Sequence, residues 1–349
     1  MLPSLPAARR SLRGDAVTDI ELNRALRSGA ATALFRGVLV SSTASTGFAT
    51  RCRAALATQH ESAAVSHRSA AALLALPWTP GAWSAESAAI QLTVAPEDRH
   101  RQRAGLRLRH ATLAPFDVQL VNGIRVTTPA RTLIDLARDP QESRNRLLVV
   151  QLIDGARRRH RCDVDQLMAA VHAAAGLRNV RRADRWLAES RDGVDSPKET
   201  QTRLLLLDRQ VPYLDVDLQI RDPDGLLRAK GDFGDRRLLR GGEYEGYEAH
   251  VERGAFRNDR QGDRWLAARG WHVLRIVEED LRRPDKLARD WLRAREDAPQ
   301  RIAALDPRRS PEVAAARRAL GFDPAIPPVD HCVRNDLTQS STPMSSLTQ

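Results

Sequence analysis

Residues 230–250, KGDFGDRRLLRGGEYEGYEAH, bring acidic side chains within reach of one another. The run reads as two short strands joined by an Arg- and Leu-rich turn, with Asp232 on the first and Glu243 and Glu245 on the second. Alternate residues of a strand face the same way, so Glu243 and Glu245 project together and a hairpin sets Asp232 opposite them. Carboxylates gathered at one end of a small sheet repel each other unless a cation sits between them. Mg²⁺ suits such oxygen donors and completes its shell with water and phosphate. A solvated hairpin with charged outer positions accounts for the same residues without any ligand.

The flanking elements must position these groups. Upstream, SPKETQTRLLLL opens a helix with Ser196 as cap, Pro197 in the first turn and Glu199 three residues after the cap, a capping-box spacing. Downstream, FRNDRQGDRWLAARGWHVLRI gives a second helix and then a strand over 271–277. Within it Arg257, Arg260 and Arg264 recur at helical spacing and form one face, suited to phosphate oxygens or to pairing with Asp259 and Asp263. Trp265 and Trp271 read as core residues.

This series of elements resembles the very-short-patch-repair-like endonuclease domain of the PD-(D/E)xK superfamily, over residues 195–297. The resemblance rests on GGEYEGYEAH and on the F-x-x-D-R-x-x-D-x-x-L-x-x-x-G-W-x-V-L-R run. It implies that Asp232 and Glu243 bind Mg²⁺ or Mn²⁺ and that Glu245 contacts the attacking water. Glu199 would orient metal or water, and His250 would lie near the phosphate. A metal held there would polarise the phosphate and lower the pKa of bound water. Two departures stand out. The superfamily lysine is absent at position 245, where relatives of this type carry Asp, and Ala249 with His250 replaces a His–His pair. Lys230, two residues before Asp232 and on its face, is a candidate replacement.

The chain has 349 residues and a formal charge of +11, which calls for an anionic partner, nucleic acid before acidic membrane. Lys occurs only at 198, 230 and 286, and an Arg- and Ala-rich, Lys-poor composition also follows from a GC-rich genome. Cys52, Cys162 and Cys332 are isolated, which gives neither a disulfide framework nor a zinc site. No apolar run is long enough to span a membrane, and the N-terminus lacks the apolar stretch of a secretory signal, so a cytoplasmic protein is expected.

Residues 15–78 read as helices around a short β-rich run broken at Gly37, the order of a winged helix. The residues RGVL at 36–39 and AVSHRSAAAL at 64–73 resemble the winged-helix region of AbiEi-type antitoxins. Ser66 and His67 suggest nucleophilic chemistry, but adjacent helical residues point about 100° apart, so Ser66 is read as an N-cap. Residues 88–140 form a small α/β middle domain with a hairpin turned at Asn122 and Gly123 and a helix capped by Thr128. Its string VNGIRVTTPARTLIDLA resembles the middle of the same antitoxin-like proteins. Arg107 and Arg109 alternate with apolar residues, as a solvated strand face does.

Residues 141–192 read as a basic helical connector. Arg157, Arg158 and Arg159, then Arg181 and Arg182, form two clusters fit to track a phosphate backbone or merely to be solvated. Residues 306–349 lose periodicity and read as a mostly disordered tail with one short helix near 313–320. The expected architecture is α/β multidomain: a winged-helix-like N-terminal region, a small α/β middle domain and a C-terminal restriction-endonuclease-like domain. The expected function is metal-dependent cleavage of phosphodiester bonds in duplex DNA. The alternative is a non-catalytic antitoxin-like DNA-binding regulator with a toxin or regulatory partner.

Overall fold

The computed structural model describes residues 7–8 and 18–322, apart from 45, 86, 99–101, 143, 213, 223, 246–261 and 263. The fold is mixed α/β with three separate sheets. Strand β1 (Ala7–Ala8) lies beside the later hairpin. Helix α1 (Asp19–Arg27) starts at Thr18, which exchanges hydrogen bonds with Glu21 in a capping box. A hairpin follows, β2 (Ala31–Phe35) and β3 (Val38–Ser41), turned through Gly37 at φ +83°. One helix precedes this hairpin among the described residues, in keeping with the helical reading of 19–28 ahead of the β-rich run.

Helix α2 (Phe48–Leu56) turns its small apolar face, Cys52 and Ala55, onto the next sheet. That sheet contains β4 (Ala64–Val65), β5 (Ile90–Val94), β6 (Leu106–His110), β7 (Val118–Val121) and β8 (Ile124–Thr127), in the order β6-β5-β4-β8-β7. The β7–β8 turn holds Asn122 at φ 50° and Gly123 at φ 75°, the two left-handed residues that a two-residue hairpin demands. Helix α3 (His67–Leu73) follows β4, and α4 (Pro129–Arg138) follows β8 with Thr128 accepting from the Arg131 N–H at 3.4 Å.

Three further helices, α5 (Arg146–Arg158), α6 (Val164–Ala173) and α7 (Val180–Glu189), pack onto α4. Leu133, Leu136, Val150, Ile153, Leu167 and Trp186 belong to one core. The stretch expected as a connector is therefore continuous with the helix before it, because its apolar faces are buried against α4. Gly155 makes the contact with the segment after α3 close: a Cβ there would lie 2.9 Å from the Trp78 ring.

The last unit begins with α8 (Pro197–Leu207), capped by Ser196, whose hydroxyl accepts from the Glu199 N–H at 3.2 Å. Its sheet contains β9 (Asp215–Arg221), β10 (Leu227–Asp235), β11 (Arg240–Tyr244) and β12 (His272–Ile276), in the order β12-β11-β10-β9. Strands β9, β10 and β11 are antiparallel neighbours, whereas β12 is parallel to β11. The crossover between those last two strands includes a short helical run at 264–268. Gly242 is required by packing: an added Cβ would come within 2.4 Å of the Phe233 ring and 2.9 Å of Trp291. Helices α9 (Glu278–Leu281), α10 (Pro284–Glu296), α11 (Ala298–Ala303) and α12 (Pro311–Ala319) complete the unit. Val313 and Ala316 of α12 share a core with Trp271 and Leu218, so the region expected as tail contributes to packing up to that helix. No helix among the described residues is long and apolar enough to cross a membrane.

Candidate functional site

Strand pairing assembles the acidic face. Phe233 is opposite Gly242 and Glu243 is opposite Arg275, so continuing the first register by one residue brings Asp232 beside Glu243. Asp232 Oδ2 accepts from the Tyr244 N–H at 2.6 Å. Burial, reinforced by the neighbouring Glu243 charge, pushes the Asp232 carboxyl up to about 6. Glu199 is buried on α8, and its Oε2 accepts from the Asp195 N–H at 2.9 Å. Burial and then the charge of Asp232 push Glu199 up to about 7. The helix and the hairpin thus set a buried and a half-buried carboxyl against each other.

Glu243 and Glu245 have a partner to which the sequence reading gave no role. Arg275 Nη1 donates to Glu243 Oε2 at 2.6 Å and lies 3.3 Å from Glu245 Oε1. Its position could be read only from the β11–β12 register, which joins segments about thirty residues apart. His250, Arg257 and Arg260 lie outside the described residues, and Arg264 is exposed.

The donors are hard oxygens of the type that Mg²⁺ or Mn²⁺ prefers. Among the described residues no three His, Cys, Asp or Glu side chains are grouped to hold a metal. Glu243 and Glu245 are drawn to Arg275, while one oxygen each of Asp232 and Glu199 is engaged by a backbone N–H.

Two of the three lysines flank this face, each held by carboxylates beside it. Lys198 Nζ is 2.6 Å from Glu278 Oε2, which also accepts from the Tyr244 hydroxyl at 3.0 Å. Lys230 pairs with Asp195 Oδ2 and lies 3.1 Å from Asp217 Oδ1. Asp217 is held at φ 52° within β9, an unfavourable conformation for a non-glycine residue that ordinarily marks a constrained position. Asp195 also accepts from Arg158 Nε, so one carboxylate joins the end of α5 to the edge of the acidic face.

The basic clusters divide by contact. Arg157 donates to Ser190 Oγ at 2.9 Å, and Arg182 donates to the carbonyls of Ala137 and Asp139 at 2.8 Å each. Arg182 therefore closes the C-terminal end of α4, the place where unpaired helix carbonyls need donors, rather than facing outward as expected. Arg159 and Arg181 are exposed, as are Arg161, Arg178 and Arg185, and among the described residues none of these side chains has an ion pair.

Ser66 departs from its expected role. It occupies the N-cap position, but its Oγ lies 2.9 Å from His67 Nδ1 and makes no cap bond. His67 adopts φ 51°, which folds the neighbouring side chains together despite their adjacency in sequence. Both are buried, and burial holds the imidazole below its ordinary value. The pair is a core contact. Arg109 likewise pairs with Asp139 at 2.6 Å, so it is not an open phosphate contact.

Residues 61–189 match the family model of the AbiEi antitoxin C-terminal domain. Two uncharacterized proteins from two strains of Mycobacterium tuberculosis are each 31% identical over 197 residues, covering 55% of this chain and 69% of theirs.

Proposed function

Because the chain belongs to the same family as these mycobacterial proteins and residues 61–189 match the AbiEi antitoxin C-terminal domain, we propose that it is an antitoxin-type DNA-binding regulator. The observation that carries this reading is the match itself, which coincides with the packed body of β4–β8 and α3–α7. Exposed Arg159, Arg161, Arg181 and Arg185 on that body supply cations for a phosphate backbone, and the net charge of +11 favours the same ligand. The N-terminal α1–β2–β3 segment serves in this reading as a degenerate winged helix. A cognate toxin or regulatory protein is the second partner that it supplies.

Replacing Arg159, Arg161, Arg181 and Arg185 together with Gln is expected to weaken duplex binding irrespective of base sequence. The slope of log affinity against log salt should flatten by roughly two to four. Filter-binding titrations between low and moderate salt measure it, and an unchanged slope would remove these arginines from the interface.

A second reading is metal-dependent endonuclease activity in the C-terminal unit. The order α8–β9–β10–β11–helix–β12, with Glu199, Asp232 and Glu243 directed to one region, favours it. In that reading Asp232, Glu243 and Glu199 would require a rearrangement that frees Glu243 from Arg275 before Mg²⁺ or Mn²⁺ is bound.

A further inference from the structure

We propose that Arg158 and Lys230 form a phosphate-binding subsite across the boundary between the antitoxin-type body and the C-terminal sheet, with the Asp195 carboxylate as its built-in competitor. The two cations come from distant parts of the chain, the end of α5 and the middle of β10, and converge on opposite oxygens of one carboxylate. A carboxylate offers two acceptor oxygens much as the two non-bridging oxygens of a phosphodiester do, and Arg and Lys bind either group by charge-assisted hydrogen bonds.

The site is open to a ligand. The side chains of Arg158, Asp195 and Lys230 are 40%, 38% and 37% exposed. It is also built, because two further contacts fix its frame. The Asp195 N–H donates to buried Glu199, which pins the backbone while leaving the side chain free to turn away. Asp217 Oδ1, on a strand residue in the left-handed region, steadies Lys230 from the other side. Gly193 makes room for that residue, since a Cβ there would stand 2.9 Å from Asp217 Cβ. Lys230 Nζ is held by Asp195 and Asp217, so the lysine faces the boundary between the two units.

This inference rests on the DNA-binding reading for its ligand, the nucleic-acid backbone. Asp195→Asn removes the competing charge and keeps the side-chain shape. On a labelled 20-base-pair duplex at about 0.1 M salt, the full-length variant is expected to bind roughly tenfold more tightly than the parent, with a salt slope steeper by about one to two. The gain should vanish when Arg158→Gln and Lys230→Gln are added. Asp165→Asn, the same loss of charge at an exposed site on α6, should change affinity no more than about twofold. If Asp195→Asn, folded by circular dichroism, behaves like Asp165→Asn, the subsite is refuted. If it does not fold, Asp195→Ser poses the same question. If no form binds duplex, the DNA-binding reading fails, and thermal shifts with inorganic phosphate decide the subsite. A shift in Asp195→Asn that the triple variant lacks retains an anion site for free phosphate, whereas no shift overturns it.

Discussion

Asp154→Ala is expected to destabilise the protein by about 3–5 kcal/mol, the range for stripping one partner from a buried ion pair. Asp154 lies on α5 with a fully buried side chain, and Arg203 of α8 donates to its Oδ2 at 2.8 Å from a setting that is itself 7% exposed. The Thr200 hydroxyl donates to the same oxygen at 2.9 Å, and the Arg191 N–H to Oδ1 at 2.7 Å. Truncation would leave a buried guanidinium uncompensated and two donors unpaired, so the loss exceeds that of any single hydrogen bond. Asp154→Asn retains acceptor capacity without the charge and should cost less. Urea unfolding of both variants measures the difference. Because the contact ties α5 to α8, the alanine variant should also loosen the antitoxin-type body from the C-terminal unit, detectable as earlier proteolysis near 190–196.

The second large effect concerns pH and the acidic face. Asp232 and Glu199 are raised to about 6 and about 7 by burial and by neighbouring carboxylates. Both values lie above those of the unfolded chain, near 4, so between about pH 4 and 7 the folded state holds protons that the unfolded state has released. Stability must then fall as pH rises through that window, and the penalty is complete above the folded values. Asp232→Asn and Glu199→Gln, which preserve the acceptors for Tyr244 N–H and Asp195 N–H, should each stabilise the metal-free protein at pH 8 by on the order of 2 kcal/mol. Each should also flatten the decline between pH 5 and 8. Carboxyls held low by partners, such as Asp139 and Asp195, act in the opposite sense only below about pH 4. Urea midpoints at pH 5 and 8 test this. Variants as pH-sensitive as the parent would show that the two carboxyls do not oppose each other.

Local signals were legible in the sequence because short-range chemistry sets them. Asn122 with Gly123 specified a hairpin, Thr128 and Ser196 specified helix starts, and the turn after Asp235 specified the pairing of β10 with β11. Strand β9 leaves little trace in the sequence, because Asp215, Asp217 and Arg221 interrupt the alternation of Leu218 and Ile220 on its buried face. The fate of charged side chains was harder to read. Arg182 resembles any other arginine in a basic run until α4 ends beside it, and Arg275 acquires its meaning only from the parallel pairing of β12 with β11. Sequence alone placed three carboxylates at one end of a sheet. It could not show that a strand from the far side of the crossover delivers the cation that neutralises two of them.

The proposed reading is that this chain grips duplex DNA as a regulator, with cutting left to the second reading. The most direct measurement incubates the full-length protein with end-labelled duplex in Mg²⁺ and in Mn²⁺, then runs matched native and denaturing gels. The account predicts a salt-sensitive shifted band on the native gel and intact strands on the denaturing gel. Cleavage that disappears in Asp232→Asn would contradict it in favour of the endonuclease reading, and the absence of any shifted band would contradict DNA binding itself.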